Sequence, residues 1–409
     1  MDAEAPVPLY SPASPLPSYS QDPATDETRL DLSPRAGTRR LPTGIFIKTC
    51  GSATVILHDQ EPNTSAPSYG REAWVRGSLL LDRDTSNVCK VSVKLQGRVE
   101  ATTAESGATV VKFLNETRSL WSSASSTSPC PGALDFAYHL PATFDLRGVV
   151  QCLPPSYVAR FPGFPALFAQ CVYTLTISIT RSGRFLSKTK TIFIPLEYKP
   201  HTRPPRGICA TPCFFSALKS APEEWLQSSF IMRPRCSSRL SAIHCQAFLP
   251  SVQIFGLADS IPFHLQISGE LASLQQFILP GDESEQKSSP AVRVSMTRMV
   301  SVAYRDKTTS RTQRIGEGHL CAVPPNVNFD CDCDDSDPVP CECAHTLDWH
   351  GEVRCAPSVT VGGFHALGLA VKDFITLDLV PPRGKFSPLM AVQHAIPIRL
   401  VTEAFVAPT

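Results

Sequence analysis

Tyr173-Thr174-Leu175-Thr176-Ile177-Ser178-Ile179-Thr180 is the stretch whose reading decides the fold. Large apolar side chains stand at every odd position and small hydroxyl side chains at every even one. It lies at the end of the long uncharged run from Phe161 to Thr180, which opens with Pro162 and Pro165. A membrane helix has no reason to alternate with period two. A strand with one face buried does, because successive side chains point to opposite faces.

The same period extends outward in both directions. Upstream, Ile45 and Ile47 open a strand, Thr54 to Leu57 and Trp74 to Leu81 give two more, and Val91, Val93, Leu95 and Val99 alternate with Lys90, Ser92, Lys94 and Arg98. Phe136 to Leu140 and Thr189 to Leu196 complete the first half. Downstream, Val252 to Leu257 is one strand, and Phe263, Leu265 and Ile267 alternate with polar residues. Val292, Val294, Met296, Val300, Val302 and Tyr304 share one parity, interrupted by Arg298. Leu367, Leu369, Val371, Ile375, Leu377 and Leu379 share another, and Ile396, Ile398 and Leu400 end the series. Short alternating runs separated by Gly, Pro, Ser and Asp predict sandwiches, not βαβ units.

The bulk numbers agree. A chain of 409 residues suits two domains of about 150–200 residues each. Its 38 prolines disfavour helices. A net charge of +1 gives no global field toward nucleic acid or anionic lipid. The acidic start, Met1-Asp2-Ala3-Glu4, has no apolar block behind it, so no signal peptide is expected. The 15 cysteines then read as reduced thiols, and the Asn115-Glu116-Thr117 sequon as unglycosylated. Residues 1–43 are rich in Pro and Ser and read as a disordered tail. The first sandwich is expected over 44–198, a stiff basic linker over 199–222, and the second sandwich over 223–409, with no long tail after the last strand. Ser220-Ala221-Pro222-Glu223 matches a capping box and predicts a short helix through Trp225 and Leu226.

One set of motifs narrows the class. Phe136-Ala137-Tyr138-His139-Leu140-Pro141 is followed by Leu153-Pro154-Pro155-Ser156-Tyr157, by Cys171-Val172-Tyr173-Thr174-Leu175 and by Arg181. This resembles the N-terminal domain of arrestins, and is most similar to the arrestin-like proteins of fungi. The second half fits the arrestin C-terminal domain in strand order and density, at Ser260 to Leu265, Trp349 to Val353 and Phe374 to Leu379. The resemblance implies an all-β fold of two tandem immunoglobulin-type sandwiches. It also implies a non-enzymatic cytoplasmic adaptor, peripheral at the plasma membrane or endosomes, that binds cytoplasmic tails of membrane-protein cargo. Many fungal members recruit a HECT-type ubiquitin ligase for endocytosis through Pro-Pro-x-Tyr motifs read by WW domains. A proline pair holds the polyproline II shape in advance, so docking orders little chain. The alternatives are a ligase-independent scaffold of the same fold and a metal-binding protein.

Four segments bear on the ligase. Leu16-Pro17-Ser18-Tyr19 is a Leu-Pro-x-Tyr variant in the tail, with the weaker Pro8-Leu9-Tyr10 beside it. Pro154-Pro155-Ser156-Tyr157 is the full consensus, but it falls where the fold itself calls for prolines leading into a strand. Ala66-Pro67-Ser68-Tyr69 reads as a turn. Metal chemistry rests on Cys331-Asp332-Cys333 and Cys341-Glu342-Cys343, with His345 close behind, in an acidic loop at 330–345. Four thiolates suit tetrahedral zinc, although C-x-C is tighter than the usual spacing and the crowded carboxylates oppose thiolate formation. Arg203, Arg206, Arg233, Arg235 and Arg239 form the densest basic neighbourhood, open to acidic tails or phosphoinositides. No nucleophile elbow, P-loop, dinucleotide fingerprint or H-E-x-x-H is present, and no cofactor is implied.

Overall fold

The alternating runs become strands in the computed structural model of the chain. It describes residues 42–406 apart from 63, 82–84, 147, 184–186, 209–213, 237, 279–291, 324–344 and 383. The first unit holds β1 (Gly44–Cys50), β2 (Ala53–Gln60), β3 (Ser68–Tyr69), β4 (Trp74–Leu81), β5 (Val88–Thr103), β6 (Gly107–Ser122), β7 (Ala133–His139), β8 (Thr143–Leu146), β9 (Val149–Cys152), β10 (Tyr157–Phe161), β11 (Leu167–Arg181) and β12 (Lys188–Tyr198). After helix α1 (Phe214–Ser220) come β13 (Trp225–Met232), β14 (Ile243–Pro250), β15 (Ile254–Gly256), β16 (Ser260–Gly269), helix α2 (Leu271–Ile278), β17 (Val292–Tyr304), β18 (Lys307–Val323), β19 (His345–Cys355), β20 (Phe364–Ala366), β21 (Leu369–Leu379) and β22 (Val392–Val401). The chain is all-β, in two tandem sandwich units.

In the first unit a four-stranded sheet, β1-β2-β4-β7, faces a larger one ordered β3-β12-β11-β5-β6, with β10 beside β11. The odd residues of the opening stretch, Tyr173, Leu175, Ile177 and Ile179, are all buried and meet Val55, Leu57, Val75 and Leu79 of the facing sheet in one core. Tyr138 donates its hydroxyl to the Val93 carbonyl and Tyr173 donates to that of Pro154, so both buried phenols are satisfied. Gly97 sits at a register shift between β5 and β6. A Cβ there would come within 2.6 Å of the Phe113 ring, so glycine lets that ring cross the strand. Phe113 then meets Phe144 at 5.1 Å and Tyr173 at 5.4 Å.

The second unit closes differently from two separate sheets. One ladder runs β13-β14-β16-β19-β18-β17-β21-β22-β15 and curls over itself. Its two sides meet where Ser228 of β13 bonds His394 of β22 at 2.7 Å and the Phe230 ring stacks on His394 at 4.4 Å. Both halves of this sheet contribute to a second core around Phe255, Leu265, Met296 and Ile375.

Two strands belong to both cores. Val292, Val294 and Met296 of β17 lie in the second core, while Val300 and Val302 lie in the first. On β21, Ile375, Leu377 and Leu379 lie in the second core, and Leu369 and Val371 in the first. At the crossing point Arg298 and Asp373 are direct cross-strand partners. Their side chains are 3% and 0% exposed and form a fork, Nε to Oδ1 at 2.7 Å and Nη2 to Oδ2 at 3.2 Å. The interruption of the apolar parity at Arg298 is thus the boundary between two cores. Gly363 leaves room for the carboxylate, since a Cβ there would stand 3.1 Å from Asp373 Oδ2.

The expected helix through Trp225 and Leu226 is corrected. Pro222–Glu224 makes one 3-10 turn with no side-chain cap, and Trp225 begins β13, paired with Pro250. Pairing along β14 outweighs the local capping signal. Helix α1 instead ends at Ser220, whose hydroxyl turns back to the Ser216 carbonyl at 3.0 Å. A seven-residue helix has little stability of its own. It is held by Phe214, stacked on the buried His264 at 4.0 Å and edge-on to Trp225 and Phe248. Beneath it His264 meets Asp348 at 2.9 Å. Helix α2, absent from the sequence reading, buries Leu274 and Phe277 at helical spacing.

Two outcomes are expected. Breaking the buried pair on one side, Arg298→Met or Asp373→Leu, strands a charge in a dry site and costs about 3–5 kcal/mol, while the double variant recovers most of it. Denaturant titration checks this, and single-variant losses under about 1 kcal/mol would contradict it. Burial raises the Cys171 and Cys245 thiols to about 12, whereas Cys152, Cys236 and Cys321 are exposed. Alkylation of the native protein should therefore mark the latter three and spare the former two until denaturant is added.

Candidate functional site

The residues singled out in the sequence do not gather at one site. The tail motif at Leu16, Pro17 and Tyr19, and Cys331, Cys333, Cys341 and Cys343, lie outside the described residues. Among the described residues no group of three or more His, Cys, Asp or Glu is arranged to hold a metal ion.

Pro154 and Pro155 are buried, and the Pro154 carbonyl accepts the Tyr173 hydroxyl at 2.7 Å. Tyr157 is half-buried against Phe364 of the second unit, with ring centroids 5.4 Å apart. Burial raises its hydroxyl pKa, and the positive charge of Arg298 opposes that shift. The full Pro-Pro-x-Tyr consensus is therefore a packed joint between the units, ending on the buried charge pair. A WW groove would need these prolines in the open. Ser68 and Tyr69, read as part of a turn, form β3 and pair in parallel with Glu197 and Tyr198.

The five arginines divide into two places. Arg203 pairs with Glu403, and Arg206 with Glu224 at 3.1 Å and Ser251 at 2.7 Å. Arg233, Arg235 and Arg239 follow the far end of β13, which spans eight residues or about 26 Å. The linker is also fastened to the end of the second unit, through Thr202 to Thr402 at 2.8 Å and the Glu403 amide to the Thr202 carbonyl at 3.0 Å.

The open place on the first unit is an edge that the sequence reading did not identify. Among the described residues, β1 pairs only with β2, and β12 from Lys188 to Pro195 pairs only with β11. The two free edges flank one seam of the sandwich. Lys48 of β1 reaches across to the Phe193 carbonyl at 2.9 Å, and Lys190 of β12 reaches back to the Cys50 carbonyl. Ile45, Ile47 and Phe193 are exposed, and Lys188 and Lys190 stand beside them. Neither β1 nor Lys188–Leu196 contains a carboxylate. Pro195, which cannot donate to a ladder, marks β12 as an edge. Lysines on an edge discourage accidental strand pairing, yet they also favour an acidic strand over a neutral one. An exposed edge with apolar side chains, and with lysines that have no carboxylate partner among the described residues, can take an extended acidic segment as a further strand.

A polar trio on the outer face of the first sheet has different chemistry. Ser78 donates to Asp135 at 2.7 Å and lies 3.3 Å from His58 Nε2. Serine occupies the middle, so its proton is already committed to Asp135 and histidine is not placed to remove it. The arrangement is a cross-strand ladder, not a nucleophile with its base. No helix among the described residues is long and apolar enough to cross a membrane.

No family model matches the chain, and no curated protein matches it. Solved structures similar to it include squid arrestin, at 8% identity and a TM-score of 0.37, covering 90% of this chain and 100% of that one. Another is Spo0M, a sporulation control protein from Bacillus subtilis, at 12% identity and a TM-score of 0.22, covering 65% and 91%. The tandem β-sandwich architecture of this chain stands on its own strand ladders.

Proposed function

We propose that this chain is a non-enzymatic, arrestin-like cytoplasmic adaptor that binds acidic, extended segments in the cytoplasmic tails of membrane proteins along the β1 and β12 edges. The observation that carries this reading is the open seam. Two strand edges with no partner among the described residues stand beside exposed Ile45, Ile47 and Phe193, with Lys48, Lys188 and Lys190 supplying charge of one sign. Main-chain bonds along an added strand give affinity, alternate side chains meet the isoleucines, and carboxylates meet the lysines. Ligase recruitment falls to the tail, at Leu16-Pro17-Ser18-Tyr19, because Pro154 and Pro155 are buried in the body of the fold. The adaptor would then join cargo at the seam to a WW domain at the tail.

Two experiments separate the halves of this reading. For the seam, binding of a fluorescent peptide alternating glutamate and valine is followed by anisotropy. Lys48→Glu with Lys190→Glu should weaken it at least about tenfold, a loss of about 1.4 kcal/mol, with the melting temperature unchanged. Equal affinity of wild type and variant would remove the seam from the account. For the tail, Tyr19→Ala should abolish pull-down by a WW domain and Tyr157→Phe, which keeps the packed ring, should leave it intact. The opposite pattern would show that the joint opens to bind.

A further inference from the structure

In the second unit the ladder between β17 and β18 stops before either strand does. Pairing runs from Tyr304 and Lys307 to Ser295 and Glu317. Among the described residues, β17 then continues to Val292 against β21 alone, and β18 continues to Val323 against β19 alone. The cause is local. A register shift between Met296 and Thr297 leaves Ile315 as an extra residue in β18, and such a bulge increases the twist and turns a strand aside. Gly318 keeps the two strands close at the point of divergence, since a Cβ there would stand 3.0 Å from the Val294 carbonyl oxygen. Beyond that apex they part around a cleft of about 720 Å³. A volume of that order is usual for ligand sites.

Val292, Val294, Leu320, Ala322 and Trp349 line the cleft with apolar groups, and Arg293, Arg314 and His319 stand around them. Ala322 is the direct cross-strand partner of Trp349, which is backed by Phe277, edge-on at 6.4 Å. Glu317 is the one carboxylate among the described lining residues, and Arg314 holds it at 2.9 Å. Arg293 is exposed and forms no ion pair among the described residues. Its cross-strand partner, Asp378, accepts from Gln393 at 2.7 Å instead. The apolar floor is therefore bordered by a net positive charge.

The walls decide the class of ligand. Both are strand edges whose main-chain groups on the cleft side have no ladder partner among the described residues. A hydrocarbon chain would bury those groups unpaired, at a cost in free energy. An extended peptide would pair them. Its course is limited by the apex. At Ser295 and Glu317 the ladder is closed, so a strand entering the cleft must end there. A C-terminus brings a carboxylate to Arg293 and Arg314, whereas an N-terminus would bring an ammonium to the same cations. We infer that this cleft binds the C-terminal end of an extended peptide, with its last apolar side chains against Leu320 and Trp349 and its terminal carboxylate at Arg293 and Arg314. The site is separate from the seam of the first unit and requires no acidic side chain in its ligand.

The test is anisotropy of the full chain with a fluorescent peptide of alternating serine and valine, ending in valine and labelled at its N-terminus. The peptide is used as the free acid and as the C-terminal amide. The free acid should bind, and the amide at least about tenfold more weakly. Arg293→Gln with Arg314→Gln should weaken the free acid about tenfold and leave the amide unchanged. Ala322→Arg, at an exposed position in the cleft, should weaken both forms by obstruction. Lys48→Glu with Lys190→Glu should change neither. These positions are on the surface, and an unchanged melting temperature confirms that each variant is folded. No binding of the free acid would overturn the inference, as would equal affinity of acid and amide. Binding that the arginine variant leaves unchanged, or that the lysine variant removes, would overturn it too. The two sites fail separately, because the seam is read through the lysine variant and the cleft through the terminal carboxylate and the arginines.

Discussion

Arg298 and Asp373 are the constraint on which the rest of the structure depends. They face each other on two strands that run out of one apolar core and into another. An ion pair so deeply buried gains little net stability, because desolvation offsets most of the attraction. Its value here is register. A slip of one residue between β17 and β21 would bury either charge alone, and that cost is large. The pair therefore fixes which apolar residues enter which core. Val300, Val302, Leu369 and Val371 are delivered to the first sandwich by strands that belong to the second.

The consequence is that the two sandwiches pack as one body. Tyr157, at the end of the Pro-Pro-Ser-Tyr segment, packs on Phe364, and Leu367 donates its amide to Gln151 at 3.2 Å. The linker is bound on the other side through Thr202, Arg203 and Glu403. The β1 and β12 edges of the first unit stay at the periphery of this body, which is where the proposed binding seam lies.

Much of this fold was legible in the sequence, because period two is a local signal. Tyr173, Leu175, Ile177 and Ile179 gave their own burial, and Arg298 announced itself by breaking an apolar parity. Asp373 stands at the same kind of position between Val371 and Ile375. Their pairing was not legible, since the partners lie 75 residues apart and only the ladder joins them. The seam was missed for the same reason. Whether a strand is an edge depends on its neighbours, and Pro195 was the one local sign. The burial of Pro154 and Pro155 is likewise tertiary. Ser220 misled because its capping signal was outweighed by pairing of Trp225 with Pro250, while Leu274 and Phe277 of α2 were a helical signal left unread.

The central claim is that two sandwiches sharing β17 and β21 behave as one body. Scanning calorimetry of the full chain tests it most directly. The account predicts a single transition whose calorimetric and van't Hoff enthalpies agree. Two resolved transitions, each with the enthalpy of one sandwich, would contradict it.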